Sequence, residues 1–191
     1  MNATKHPPCR AVFLDRDGVL NRPLIREGKG YAPRTLADFV LYPEAPSAIN
    51  RLQAAGFKCV VVTNQPDIGN GLTTMEEVAL MHRQLSAAMP LDLVLTCPHK
   101  QTDGCLCRKP KPGMLQEAVR RLGIAPTASF LIGDRSSDMV AGRAMGCQTL
   151  FIDRQYREPL EVVPDFQTHS LPDAVQWILS RLSLMNNPLP E

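Results

Sequence analysis

The segment Phe57 to Val62, ending in three consecutive valines, limits more than any other what this chain can fold into. Apart from Lys58 the segment is an apolar run of strand length, which suits a strand covered on both faces, as strands of a parallel sheet are. Short runs of the same kind stand at Ala11 to Leu14, Leu91 to Leu95, Phe130 to Ile132 and Thr149 to Ile152. Helical patterns lie between them. Glu44 to Ala55 turns Ala45, Ala48, Ile49 and Leu52 to one face and stops at Gly56. A second helix fits Thr73 to Met89, with Glu76 at capping-box spacing from Thr73 and Pro90 as its stop. A third opens at Pro112, collects Leu115, Ala118, Val119 and Leu122 on one side, and ends at Gly123. Ser137 to Met145 and about Leu171 to Leu182, which carries the only Trp, complete the series. Alternating strands and helices predict an α/β fold, a parallel sheet with helices on both faces. The chain has 191 residues, no internal repeat and no linker, so a single domain over 9–184 is expected, with 185–191 a disordered tail.

Composition excludes some functions. The net charge of +2 gives no general attraction to nucleic acid or membrane, and aromatics at 5% are too few to interleave with a basic nucleic-acid-binding face. The first ten residues hold no apolar leader, and Ala11 to Leu14 is far too short to span a bilayer. A cytoplasmic location is expected, where the six cysteines stay reduced. Cys9, Cys59 and Cys147 stand singly in or beside apolar stretches and read as small buried hydrophobes.

In open parallel sheets ligands bind beyond the C-terminal strand ends. Here those ends carry Asp15 and Asp17, Thr63 and Asn64, and Asp134 and Asp138. In Phe-Leu-Asp-Arg-Asp-Gly-Val (13–19), two aspartates at i and i+2 after a buried strand repel each other and lose hydration. A Mg²⁺ ion resolves that conflict and keeps waters that a phosphate can displace. An Asp-rich loop can also be a plain solvated turn, so the remaining strand ends matter. Thr63 offers a hydroxyl to a phosphoryl oxygen. Arg-Lys-Pro-Lys-Pro (108–112) fixes Lys109 in a stiff loop, as a cation for charge on a transferring phosphoryl group. Asp134 ends a further strand, and Asp138 opens the helix after it.

Cys97-Pro-His99 and Cys105-Leu-Cys107 form a second cluster. Three thiolates and an imidazole satisfy a tetrahedral Zn²⁺ and leave no position for water, the signature of a structural site. Free buried thiols suit a polar, Gly-containing loop poorly, and a redox pair has no use for His99. Zn²⁺ with three thiolates carries a net charge of −1, which Arg108, Lys109 and Lys111 can offset.

The four strand-end segments resemble the four motifs of the haloacid dehalogenase-type (HAD) phosphatases, from Ala11 to about Asp153. The resemblance implies a Rossmann-like, HAD-like sheet and assigns Asp15 as nucleophile and Asp17 as general acid and then base. It implies Mg²⁺ held by Asp15, the Asp17 backbone carbonyl and Asp134, with Asp138 orienting the metal site or Lys109. Asn64, Gln65, Arg108 and Arg135 are candidate substrate contacts, the two arginines for a distal phosphate. The zinc loop and the lack of a separate cap domain resemble one branch, which holds D-glycero-D-manno-heptose 1,7-bisphosphate 7-phosphatases and histidinol-phosphate phosphatases. Length and the Cys-Arg-Lys-Pro-Lys-Pro-Gly-Met segment resemble the heptose enzymes more. Pro-Asp-Ile-Gly-Asn-Gly (66–71) departs from them, with Asn70 where a basic residue is expected, while Asp67 and Gly69 lean toward the histidinol branch. Arg22 to Phe39 is the expected substrate-facing flap. The implied partner is a small phosphorylated metabolite, a sugar bisphosphate first, acted on by a monomer. A zinc-stabilised binding module is the non-enzymatic alternative, and it leaves the four aspartates without a purpose.

Overall fold

The computed structural model describes residues 9–186, with side chains to 182; of the expected tail 185–191, Met185 and Asn186 belong to the last helix, Leu171–Asn186, and 187–191 lie outside the described residues. Six strands form one parallel sheet in the order β5-β4-β1-β6-β7-β8. They are β1 (Ala11–Leu14), β4 (Lys58–Asn64), β5 (Leu93–Cys97), β6 (Phe130–Gly133), β7 (Gln148–Ile152) and β8 (Phe166–Thr168). An antiparallel hairpin, β2 (Leu24–Arg26) and β3 (Lys29–Tyr31), lies in the segment expected to be a flap. It is the insertion between β1 and α1, in place of a cap domain.

Strand alternation divides the core in two. Val12, Leu14, Cys59, Val61, Ile132, Leu150 and Ile152 face α1 (Ala45–Ala54), α3 (Met75–Ala88) and α6 (Leu171–Asn186). Ala11, Phe13, Val60, Val62 and Leu131 face α4 (Gly113–Leu122) and α5 (Ser136–Ala144). Both faces of β1, and of β4 from Cys59 to Thr63, are dry, which is why the Val60 to Val62 run does not alternate with polar residues. Each large apolar side chain buried in this way contributes roughly 1.5–3 kcal/mol.

Boundaries moved where hydrogen bonding outweighed the hydrophobic pattern. Strand β4 extends to Asn64 because Thr63 and Asn64 pair with Thr96 and Cys97 of β5. Helix α3 starts after Thr74, whose Oγ1 accepts from the Glu77 N–H at 3.1 Å. Thr73, the expected cap, instead donates its hydroxyl to the Arg34 carbonyl at 2.6 Å. A short helix α2 (Pro66–Gly69) follows β4 directly and brings the Gly69 N–H to the Pro98 carbonyl at 2.9 Å. Helix α4 ends as predicted, with Gly123 at φ 64° donating to the Val119 carbonyl. Among the described residues no helix is long and apolar enough to cross a membrane.

Candidate active site and cysteine cluster

The ends of β1, β4 and β6 converge with the loop before α4. The Asp15 N–H donates to the Ile132 carbonyl at 2.9 Å, so the β1–β6 ladder runs on into the aspartate and fixes its direction. Lys109 Nζ sits 2.8 Å from Asp15 Oδ1 and 2.5 Å from Asp138 Oδ1. Asp15, Lys109, Asp134 and Asp138 are all buried, none more than 7% exposed. Carboxylate oxygens of Asp15, Asp134 and Asp138 lie within 4.8 Å of one another.

Three carboxylates against one ammonium leave two negative charges in a space almost without water. Asp15 is raised to about 6, chiefly by burial, with Lys109 pulling it down and Asp138 and Asp17 pushing it up. Asp134 stands well above the ordinary carboxylate range, first through burial and then through the charges of Asp15 and Asp138. Burial alone would lower the Lys109 ammonium, but Asp138 and Asp15 outweigh it, and its pKa is raised. One oxygen of Asp134, Oδ2, accepts from the Tyr156 hydroxyl at 2.8 Å, while Oδ1 is buried without a partner. Gly18, at φ 91°, leaves room for this carboxylate, since a Cβ there would stand 1.8 Å from Asp134 Oδ2. Excess negative charge, an unpartnered oxygen and all-oxygen donors fit a hard divalent cation such as Mg²⁺.

Asp17 is held differently. Arg16 Nη2 donates to both its oxygens at 3.0 Å, Asn21 Nδ2 to Oδ1 at 2.9 Å and Gln65 Nε2 to Oδ2 at 2.7 Å. Arg16 is 0% exposed, its guanidinium over the Phe39 ring and its Nη1 3.2 Å from His82 Nε2. Burial, and then the Arg16 charge, pushes His82 down to about 4, so the neutral imidazole accepts that hydrogen bond. Gln65 also donates to Thr63 Oγ1 at 2.9 Å. Gln65 and Thr63 therefore sit sealed behind the carboxylates, at 0% and 1% exposure. Asn64 clamps the loop: its Nδ2 donates to the Lys109 carbonyl at 3.0 Å and its Oδ1 accepts the Lys109 N–H at 3.1 Å.

Above this floor opens a cavity of about 740 Å³, lined by Asp15, Asp17, Asn64, Lys109 and Asp138 below and by the hairpin and loops around it. Five basic residues line it: Lys29, Arg34, Arg108, Lys109 and Arg135. Arg34 is paired with Asp67 at 2.7 Å and Arg135 with Glu158 at 2.6 Å. Arg135 also donates to the Gly30 carbonyl, so this candidate distal contact is already held by the protein. Lys29 and Arg108 enter no ion pair among the described residues, and Arg108 Nη1 is buried without a partner. Asn70, where a basic residue was expected, is exposed. Lys29 was expected only as part of a flap; Arg16 went unassigned although it stands inside the strand-end segment 13–19, because an arginine between two aspartates reads as solvated, and Tyr156 belongs to no strand-end pattern.

The cysteine cluster is assembled as the spacing predicted. Cys97 Sγ lies 3.6 Å from both His99 Nδ1 and Cys105 Sγ, Cys107 Sγ 3.5 Å from Cys105 Sγ and 3.2 Å from His99 Nδ1. A tetrahedral Zn²⁺ with bonds of about 2.3 Å to sulfur and about 2.0 Å to nitrogen sets its donors roughly 3.5–3.8 Å apart. All six cysteines are free. Lys111 Nζ donates to the Gly104 carbonyl at 2.6 Å, tying the cluster loop to the segment that carries Lys109.

A buried aspartate trio answered by a loop lysine, at the strand ends of a capless parallel sheet, defines a phosphoryl-handling enzyme of the HAD type. The family model described as "HAD-hyrolase-like" matches residues 106–174. A Pseudomonas aeruginosa D-glycero-beta-D-manno-heptose-1,7-bisphosphate 7-phosphatase is 35% identical over 146 residues, 74% of this chain and 79% of that protein. A Mycobacterium bovis D-glycero-alpha-D-manno-heptose-1,7-bisphosphate 7-phosphatase is 37% identical over 152 residues, 74% of this chain and 78% of its own. Among solved structures, the D,D-heptose 1,7-bisphosphate phosphatase of B. bronchiseptica, complexed with magnesium and phosphate, superposes with a TM-score of 0.75. It is 26% identical, over 91% of this chain and 99% of that one. The chain therefore belongs to the HAD-superfamily phosphatases, in the branch of the heptose bisphosphate 7-phosphatases, and is a phosphoric monoester hydrolase.

Proposed function

We propose that this chain removes the 7-phosphate of D-glycero-D-manno-heptose 1,7-bisphosphate through a phosphoryl-aspartate at Asp15. The observation that carries the reading is the buried Asp15–Lys109–Asp138 ion-pair chain beneath a cavity whose unpaired cations are Lys29 and Arg108. A substrate with phosphates at both ends presents one to the aspartates and the other to these two cations. Relatives named for both anomers of this bisphosphate support the same substrate class.

An Asp15 oxygen attacks phosphorus, and the bond from phosphorus to the sugar oxygen breaks. Asp17 gives its proton to that oxygen. In the second half, Asp17 takes a proton from water as the water oxygen attacks phosphorus, releasing phosphate and restoring Asp15. Lys109 is placed to offset charge on the transferring group, and Asp138 holds it there. Thr63 and Gln65 support the site from behind, Gln65 aligning Asp17. Asp15, Asp134 and the Asp17 carbonyl would hold Mg²⁺, which when bound would supply positive charge to the phosphoryl oxygens. Zn²⁺ is the metal suited to Cys97, His99, Cys105 and Cys107, holding the loop ahead of Lys109.

The test is Mg²⁺-dependent phosphate release from both anomers of heptose 1,7-bisphosphate, fructose 1,6-bisphosphate and histidinol phosphate. A heptose bisphosphate should give the highest kcat/KM, and Asp15→Asn should give none. A clear preference for histidinol phosphate would overturn the substrate; substantial turnover by Asp15→Asn would overturn the nucleophile.

A further inference from the structure

The oxygen of Asp134 that is not free is held by Tyr156, and Tyr156 is in turn seated on the hairpin. A Cβ at Gly30, in the middle of β3, would lie 2.7 Å from both Cζ and the hydroxyl of Tyr156. Gly30 shows no positive φ, so the absence of a side chain there answers to the tyrosine and not to the backbone. The Arg135 guanidinium lies 5.3 Å from the Tyr156 ring centroid and donates to the Gly30 carbonyl. The Arg157 N–H donates to the Gly28 carbonyl at 2.9 Å, fastening the same loop to the hairpin turn. Lys29 and Tyr31, on either side of Gly30, line the cavity. One short hairpin thus touches the space where substrate enters and the residue that orients Asp134.

We propose that Tyr156 is a positioning residue that couples hairpin β2–β3 to the cation pocket, so that the seat of the hairpin sets the affinity for Mg²⁺. The proposal rests on the Mg²⁺ reading above. A buried carboxylate can present either oxygen; a hydroxyl fixed on Oδ2 leaves Oδ1 aimed at the pocket. Partners of this kind change metal affinity by about 10- to 100-fold when removed. By linkage, the factor by which a substrate pressing on Lys29 and Tyr31 changes cation affinity is the factor by which the cation changes affinity for that substrate.

The experiment titrates metal-free protein with Mg²⁺ by calorimetry and with Mn²⁺ by the electron paramagnetic resonance of the free ion. Wild type should bind, and Asp134→Ala should not. Tyr156→Phe keeps the ring and removes only the hydroxyl, and its dissociation constant should rise about tenfold. Gly30→Ala, whose added Cβ would meet the tyrosine first, should weaken binding comparably. The double variant should bind no more weakly than the weaker single one, because both changes act through the same contact. Ile25→Ala, on the same hairpin but 60% exposed, should bind as wild type does. Wild-type affinity in both single variants, or an additive loss in the double, would overturn the coupling. Binding that Asp134→Ala leaves intact would overturn the Mg²⁺ reading and the coupling with it.

Discussion

Freed of metal, the protein should lose the contribution of Asp15 to its stability as the pH rises from 4 to 6, the reverse of a carboxylate stabilised by pairing. Asp15 ionises near 3.8 when unfolded and at about 6 when folded, with burial as the first cause. A raised carboxylate pKa means that folding favours the protonated form. That contribution is complete below 3.8 and is lost as the pH climbs through about 6. At about 1.36 kcal/mol per pH unit, the rise corresponds to roughly 3 kcal/mol. Other groups titrate in the same range, so the informative quantity is the difference between wild type and Asp15→Asn. Urea unfolding of both metal-free proteins at pH 4, 5, 6 and 7 provides it. The asparagine variant should gain on wild type by about 3 kcal/mol across the window and then run parallel to it. Parallel curves from pH 4 onward would refute the claim that burial outweighs the Lys109 ion pair at this site. Saturating Mg²⁺ at pH 7 should restore wild type more than the variant.

Further outcomes follow from the same geometry. Lys109→Met should lower kcat by about 10²- to 10³-fold, because no other cation pairs with Asp15 among the described residues. In steady-state assays, Arg108→Ala should raise KM for the bisphosphate about tenfold or more while leaving a 7-monophosphate little changed, which a single-phosphate reading of the cavity would not give. The double variant Cys105→Ser, Cys107→Ser should lose bound Zn²⁺ by atomic absorption and much of its kcat, with far-UV circular dichroism preserved. Full activity in it would contradict a role for the cluster in placing Lys109.

The fold and most of the site were legible because their residues sit where periodicity breaks. Apolar strands ending in Asp15, Thr63 and Asp134 mark themselves, and four metal-type donors within eleven positions do the same. Helix and strand ends shifted where side-chain oxygens chose among backbone donors, as Thr74 did over Thr73. The hairpin escaped notice because Leu24–Arg26 and Lys29–Tyr31 are three residues each and mostly exposed, too short to show alternation. Strand β8, also three residues, escaped for the same reason. Tyr156 could not be found by spacing, since its partner is 22 positions away and its loop has no repeat. The two amides after Thr63 were read as substrate contacts, whereas their hydrogen bonds in this structure go to Lys109 and Asp17.

The sealed guanidinium of Arg16 bears on which inactive form of the enzyme is worth making. Replacing Asp17 by a neutral residue leaves a cation with no water and no counterion, an error that typically costs about 3–5 kcal/mol. An Asp17 knockout would therefore confuse loss of chemistry with loss of fold. Replacing Asp15 has no such penalty, because Lys109 keeps Asp138. For capturing this protein with an intact substrate in a crystal, Asp15→Asn is the dead enzyme that should still stand upright.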